Sequence, residues 1–258
     1  MKKTLLALAT AAACALPLAA FAQAAEPAKA EAPKPEPEFS LTANVTLASS
    51  YAYRGIAQTN ERPAIQGGFD FVHKSGFYLG NWNSNISWLA DANPGLSAPI
   101  EMDFYGGYKF EAAPGLTIDL GALQYYYPMS GAKPANSPNT TELYVGAGWG
   151  PLSFKYSQAV TDLFGFVDSK NSYYLDGGLN YEVLPGLALV GHVGYQKVKG
   201  SDDASYTDWK LGANYTWEGW TLGAAYVDTN ASDLVYTGPV GGKNLGKSKF
   251  IATVGRSF

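Results

Sequence analysis

The sequence predicts an all-β fold, a transmembrane antiparallel up-and-down β-barrel of about 12 strands. Three observations predict it. Apolar and polar residues alternate in long runs, the connections between runs alternate between short and long, and aromatic residues gather near the run ends. Residues 41–54 show the pattern most clearly, reading L-T-A-N-V-T-L-A-S-S-Y-A-Y-R. Leu41, Ala43, Val45 and Leu47 lead on one face to Tyr51 and Tyr53, while Thr42, Asn44 and Thr46 share the other face with Ala48, Ser50 and Arg54. Side chains alternate across a strand, so one face is apolar and the other small and polar. Such a run exceeds the usual strand of about 5–6 residues and suits a tilted strand crossing a bilayer, which needs about 9–11.

Composition agrees. Only 16% of the 258 residues are charged, against 14% aromatic, with 29 Gly and 18 Tyr, where ordinary globular chains run to about 25% charged. The net charge of −4 offers no basic footprint for nucleic acid. After the N-terminal apolar run no stretch is long enough for a membrane helix, so any crossing falls to strands.

In chain order, residues 1–22 read as a secretory signal peptide. Lys2 and Lys3 form the positive start, an apolar stretch follows, and Ala20-Phe21-Ala22 precedes the expected cleavage. The single cysteine, Cys14, lies inside this leader, so the mature chain has no thiol for disulfides, catalysis or metal. Residues 23–38 contain only Ala, Pro, Glu, Lys and one Gln. They read as an extended periplasmic linker. Residues 39–258 form the expected barrel, with strands near 40–54, 64–73, 77–88, 100–110, 116–127, 140–149, 152–162, 172–183, 187–198, 206–217, 220–228 and 248–258. The faces of the third are ambiguous. Short turns come at 73–76, 111–115, 150–151, 184–186 and 218–219, and longer connections lie between the other pairs. Bacterial outer-membrane barrels sort their loops in this way, with short turns in the periplasm.

Aromatic residues beside the short turns include Phe110, Trp149, Tyr181, Trp217, Trp220 and Phe258, and those toward the loops include Tyr51, Tyr53 and Trp88. Amphipathic rings prefer the lipid–water interfaces, so two girdles are expected. If the faces are right, the lumen holds Arg54, Asp70, Glu101, Asp103, Lys109, Asp119 and Glu142, then Lys155, Asp176, Glu182, His192, Asp208, Lys210 and Lys249. Charges there must be hydrated or paired. Either they line water and act on passing ions, or they pair into a plug. Eight acids against five bases predict a weak cation preference. Arg54-Gly55 is either a constriction residue with its turn glycine or a paired strand-end arginine.

Several segments resemble the TorF family of proteobacterial porins. Ser50-Tyr51-Ala52-Tyr53-Arg54-Gly55-Ile56-Ala57-Gln58-Thr59 looks like their opening strand and first loop, and Asp103-Phe104-Tyr105-Gly106-Gly107-Tyr108, Tyr125-Tyr126-Tyr127-Pro128 and Glu142-Leu143-Tyr144-Val145-Gly146 also fit. The last strand, ending in Phe258, looks like the segment of outer-membrane proteins that the barrel-insertion machinery reads. Arg256 departs from the apolar residue usual two places earlier. The resemblance implies passive diffusion of small hydrophilic solutes through a barrel set in outer-membrane lipid and lipopolysaccharide, with no cofactor and no catalytic residues. Hydrolytic barrels need a Ser beside a His base. Here only His73, in a short turn, and His192, alone on a lumen face, are present.

Overall fold

The computed structural model describes residues 37–93, 95–131, 133–238 and 242–258. The expected leader with Cys14, and the linker up to residue 36, lie outside the described residues. The strands are β1 (Phe39–Ala48), β2 (Ala52–Tyr53), β3 (Ile56–Ala57), β4 (Ala64–His73), β5 (Phe77–Asn85), β6 (Leu96–Ser97), β7 (Ile100–Ala113) and β8 (Leu116–Tyr126). There follow β9 (Ser130–Gly131), β10 (Thr140–Trp149), β11 (Leu152–Ala159), β12 (Tyr173–Leu184), β13 (Leu187–Lys197), β14 (Tyr206–Trp217), β15 (Trp220–Thr229) and β16 (Lys249–Ser257).

Twelve of these close into one barrel in the order β1-β16-β15-β14-β13-β12-β11-β10-β8-β7-β5-β4. Every neighbouring pair is antiparallel, as sequential hairpins require. β1 meets β4 along its whole length, from Phe39↔His73 to Ala48↔Ala64. The seam with β16 is shorter, from Asn44↔Ser257 to Ala48↔Thr253. Ala43 and Phe258 extend it by exchanging two backbone hydrogen bonds of 3.1 and 2.9 Å. The last residue therefore helps to close the barrel.

Alternation sets the two faces. Leu41, Val45 and Leu47 are exposed on the outside, while Thr46 and Ala48 are buried within. The ambiguous third strand turns Tyr78, Gly80, Trp82 and Ser84 inward. Its outer face begins with Phe77 and Leu79 and then carries Asn81 and Asn83. The Asn83 amide donates to Asn81 Oδ1 at 2.5 Å, and Asn81 donates to the Asp103 carbonyl at 3.0 Å. One bond thus joins the two amides within an apolar surface, and Asn83 Oδ1 stays without a partner.

Two short turns share one construction. Glu111 and Glu182 each accept the N–H of the glycine four residues on, Gly115 and Gly186, at 2.9 Å. Both glycines have positive φ, and the register shifts beside each glutamate. Glu182, near the end of β12 and on the same face as Asp176, is exposed at the turn end and its carboxylate closes the hairpin.

Phe110, Trp149, Tyr181, Trp217, Trp220 and Phe258 are all exposed on the outer surface. The Arg256 guanidinium lies 5.0 Å from the Trp220 ring and 5.6 Å from that of Phe258. An arginine among outward rings is accommodated by these cation–π contacts. Three expected girdle residues lie elsewhere. β1 ends at Ala48 rather than continuing to residue 54, and the chain turns into the barrel, burying Tyr51 and Tyr53. β5 stops at Asn85, and Trp88 opens the one-turn helix α1 (Trp88–Ala92) over the barrel mouth. In each case packing over the mouth outcompetes extension of the strand.

Candidate functional site

The residues that cross the lumen belong to a hairpin within the first loop. Arg54 and Gly55 have φ of 45° and 79° and sit between β2 and β3. Positive φ at both central residues is what a tight type I′ hairpin turn demands. The turn projects this hairpin across the barrel from the β1–β4 side. A Cβ on Gly55 would run into the Asp208 and Thr229 side chains of β14 and β15, so only glycine fits there.

Arg54 is the pin. Its guanidinium makes a two-point pair with Glu142 of β10 at 3.0 and 2.7 Å and donates to Gln196 of β13 at 2.7 Å. It also lies 4.1 Å from the centre of the Tyr174 ring of β12. Three strands thus hold one loop side chain. Tyr125 adds a hydrogen bond to Glu142 at 3.3 Å and meets the Tyr53 hydroxyl. Beside this, Glu101 accepts from the hydroxyls of Tyr51 and Tyr127, both at 2.6 Å. Trp82 stands edge-on to Tyr51 at 5.3 Å. Lys249 donates to the carbonyls of Gly55 and Leu245 at 3.1 and 3.0 Å, tying the hairpin to the last loop. Arg54 is thus a paired arginine, held at the tip of a hairpin that crosses the lumen.

The other expected lumen charges fall into smaller groups. Tyr105 donates to Asp70 at 2.5 Å. Tyr78 donates to Asp119 at 2.6 Å, and Lys109 approaches the same carboxylate at 3.8 Å. Lys155 lies 4.0 Å from the centre of the Tyr144 ring. Asp103 is fully buried on β7. His192 stands between Asp176, at 3.0 Å, and Asp208, at 2.7 Å. A carboxylate stands against each ring nitrogen, and the Tyr174 hydroxyl lies 3.0 Å from Nε2, so the imidazole bridges two acids and a phenol. Lys210 is half-buried beside it on β14. His73 lies in a short turn against Ser75. Among the described residues no three His, Cys, Asp or Glu side chains gather as metal ligands.

Sequence reasoning selected most of the charges but missed the rings that hold them. Trp82, Tyr125, Tyr127, Tyr174 and the amide of Gln196 belong to the network. Inward parity on their strands was the available signal. Toward the short turns the lumen changes character. Thr42, Asn44, Asn180, Asn214, Thr216 and Thr253 are only half-buried. Between these small polar residues the turn half also holds Tyr78, Asp119 and Lys109, with Asp70 and Lys155, whereas the loop half holds the crossing hairpin.

The family described as "Bacterial protein of unknown function (Gcw_chp)" matches residues 30–258. No curated protein matches the chain. Among solved structures the barrel is similar to the KdgM porin, with a TM-score of 0.53 and 11% identity over 84% of this chain and 98% of that one. It is also similar to the NanC porin, with a TM-score of 0.52 and 14% identity over 85% and 99%. At these identities the likeness is one of fold.

Proposed function

We propose, from the premise that this chain belongs to the Gcw_chp family of bacterial proteins, that it is an outer-membrane porin-like channel for passive diffusion of small hydrophilic solutes, narrowed by its own first loop. The observation that carries the reading is the closed barrel with an apolar exterior and a polar, charge-bearing interior. An apolar band with aromatic edges suits a bilayer, and a hydrated interior is the use that a charged lumen most readily has. The fold shared with two porins and the segments resembling the TorF family support the same reading. In this reading residues 1–22 export the chain, residues 23–38 lie in the periplasm, and the strand ending in Phe258 engages the insertion machinery. Outer-membrane lipid and lipopolysaccharide surround the barrel.

The hairpin crossing the loop half favours one rival, a closed structural or surface-binding barrel. Single-channel conductance of the refolded mature chain, from Gln23, separates the two. Discrete and reproducible steps in a planar bilayer are the expected result. Silence from protein that shows heat-modifiable gel mobility, the mark of a folded barrel, establishes the closed barrel instead. Eight expected lumen acids stand against five bases, with His192 between two of the acids and Glu182 engaged at a hairpin. The cation preference is accordingly weak, and reversal potentials favouring the anion contradict it.

A further inference from the structure

We propose that the loop face carries a binding site for a small uncharged aromatic compound. The inference concerns the cup above the Arg54 pin and stands whether or not the lumen conducts.

The cup has a volume of about 310 Å³ and forms where the first-loop hairpin, α1, the fourth loop and the sixth loop meet. Seven rings line it: Tyr53, Trp88, Tyr127, Phe164, Phe166, Tyr206 and Tyr236. Aliphatic side chains such as Val198 and Leu245 fill the spaces between them. The rings brace one another edge to face. Trp88 stands perpendicular to Tyr127 at 5.6 Å, Tyr53 meets Phe164 at 5.7 Å, and Tyr206 meets Tyr236 at 5.2 Å. Such pairs prefer this geometry and hold one another in place.

Most polar groups in the lining are already engaged; the Trp88 Nε1–H, buried without a partner, is the donor left open to a ligand. Asp91 is bound by Ser87 at 2.7 Å and by Arg62 at 3.3 Å. The Gln196 amide accepts from Arg54 and donates to two backbone carbonyls. Gln58 donates to the Ile56 carbonyl at 2.9 Å, and Tyr236 donates to that of Ala204 at 2.7 Å. Burial pushes the Tyr236 hydroxyl up, so it remains a neutral donor. A charged ligand would lose its hydration here without a counter-charge, and a sugar would bury hydroxyls without partners. A planar apolar ring loses little. An apolar cavity of about 150 Å³ is enough to hold benzene, so one twice that size accepts a ring with substituents. Tyr53 and Gln196 belong to both the cup and the Arg54 network, which places the occupant directly over the pin.

The test is calorimetric titration of the refolded mature chain in detergent with 4-hydroxybenzamide, its charged analogue 4-hydroxybenzoate, and glucose. The amide should bind saturably, with the benzoate weaker by about tenfold or more and glucose silent. Ala92→Trp, at the exposed rim, fills the cup and should weaken the amide by about tenfold or more. Tyr236→Leu removes one ring and provides a second route should the first variant disturb α1. Native heat-modifiable mobility identifies a folded variant. Benzoate or glucose binding as tightly as the amide overturns the proposal. So does amide binding unchanged in a folded variant, or the absence of saturable binding to the wild-type chain.

Discussion

The two halves of the lumen are built on the same strands and differ in what crosses them. On β1, Thr42 and Asn44 are half-buried while Thr46 and Ala48 are buried. On β14, Asn214 and Thr216 are half-buried while Tyr206 and Asp208 are buried. The turn half mixes short polar side chains with the Tyr78, Asp119 and Lys109 group and lacks the crossing hairpin. The loop half holds Trp82, Tyr125, Tyr174, Glu101 and Glu142 around a hairpin that none of these strands supplies. A twelve-stranded wall leaves a central space, and its filling is decided by what the loops insert. The barrel and its constriction are therefore separable, and substitutions should act on one without the other.

Arg54→Ala should have the largest effect. It leaves Glu142 buried without its cation, a loss of about 3–5 kcal/mol by analogy with other broken buried pairs. The loss falls on the packing of the hairpin rather than on the barrel. Proteolysis of residues 49–63 should become fast and conductance should rise, with heat-modifiable mobility retained. Unchanged proteolysis would show that the hairpin does not depend on its pin. Gly55→Ala comes next, at about 2–4 kcal/mol, since it combines a strained backbone with collisions against Asp208 and Thr229. Gly150→Ala is its control in the turn half. Gly150 also has positive φ, but a Cβ there meets nothing within 4 Å, so only the backbone cost of about 1–2 kcal/mol remains. Equal effects on thermal stability would mean that β14 and β15 yield to the hairpin.

The contrast between the halves also explains what was legible in the sequence. Alternation located the wall, because one face must meet an apolar surround and the other a polar interior. The turn-side rings from Phe110 to Phe258 followed from that. Alternation failed at Tyr51 and Tyr53 because a hairpin folded across the lumen is also β-structure and keeps the same period. Parity cannot distinguish a strand within the wall from one that has left it. The available signal was Arg54-Gly55, a tight-turn pair flanked by alternating residues and thus a hairpin of its own. Trp88 failed for a different reason. The strand pattern runs out at Asn85, and a helix as short as α1 carries no periodicity to replace it. The pairing of Arg54 with Glu142, 88 positions away, is a property of closure, which no local window contains.

Tyr127→Phe tests the second tie of the loop half. It leaves the buried Glu101 carboxylate with Tyr51 as its remaining hydroxyl donor, at about 1–3 kcal/mol. Thermal unfolding of the variant measures it, and a neutral result would mean that water replaces the hydroxyl. Asn214→Ala should have the smallest effect and carries the comparison to its limit. Asn214 faces the turn half, half-buried, beside Gly223 and opposite no loop. If that half is a hydrated vestibule, the amide exchanges one set of water hydrogen bonds for another on folding. Its removal then changes stability by no more than about 0.5 kcal/mol. Conductance should also stay near the wild-type value, because the resistance of a channel in series lies at its narrowest part, which the Arg54 hairpin forms. A large loss of stability would place Asn214 in a packed network and make the turn half a second plug. A large change in conductance with stability intact would move the constriction away from Arg54 and end the division of the lumen into a narrow half and an open one.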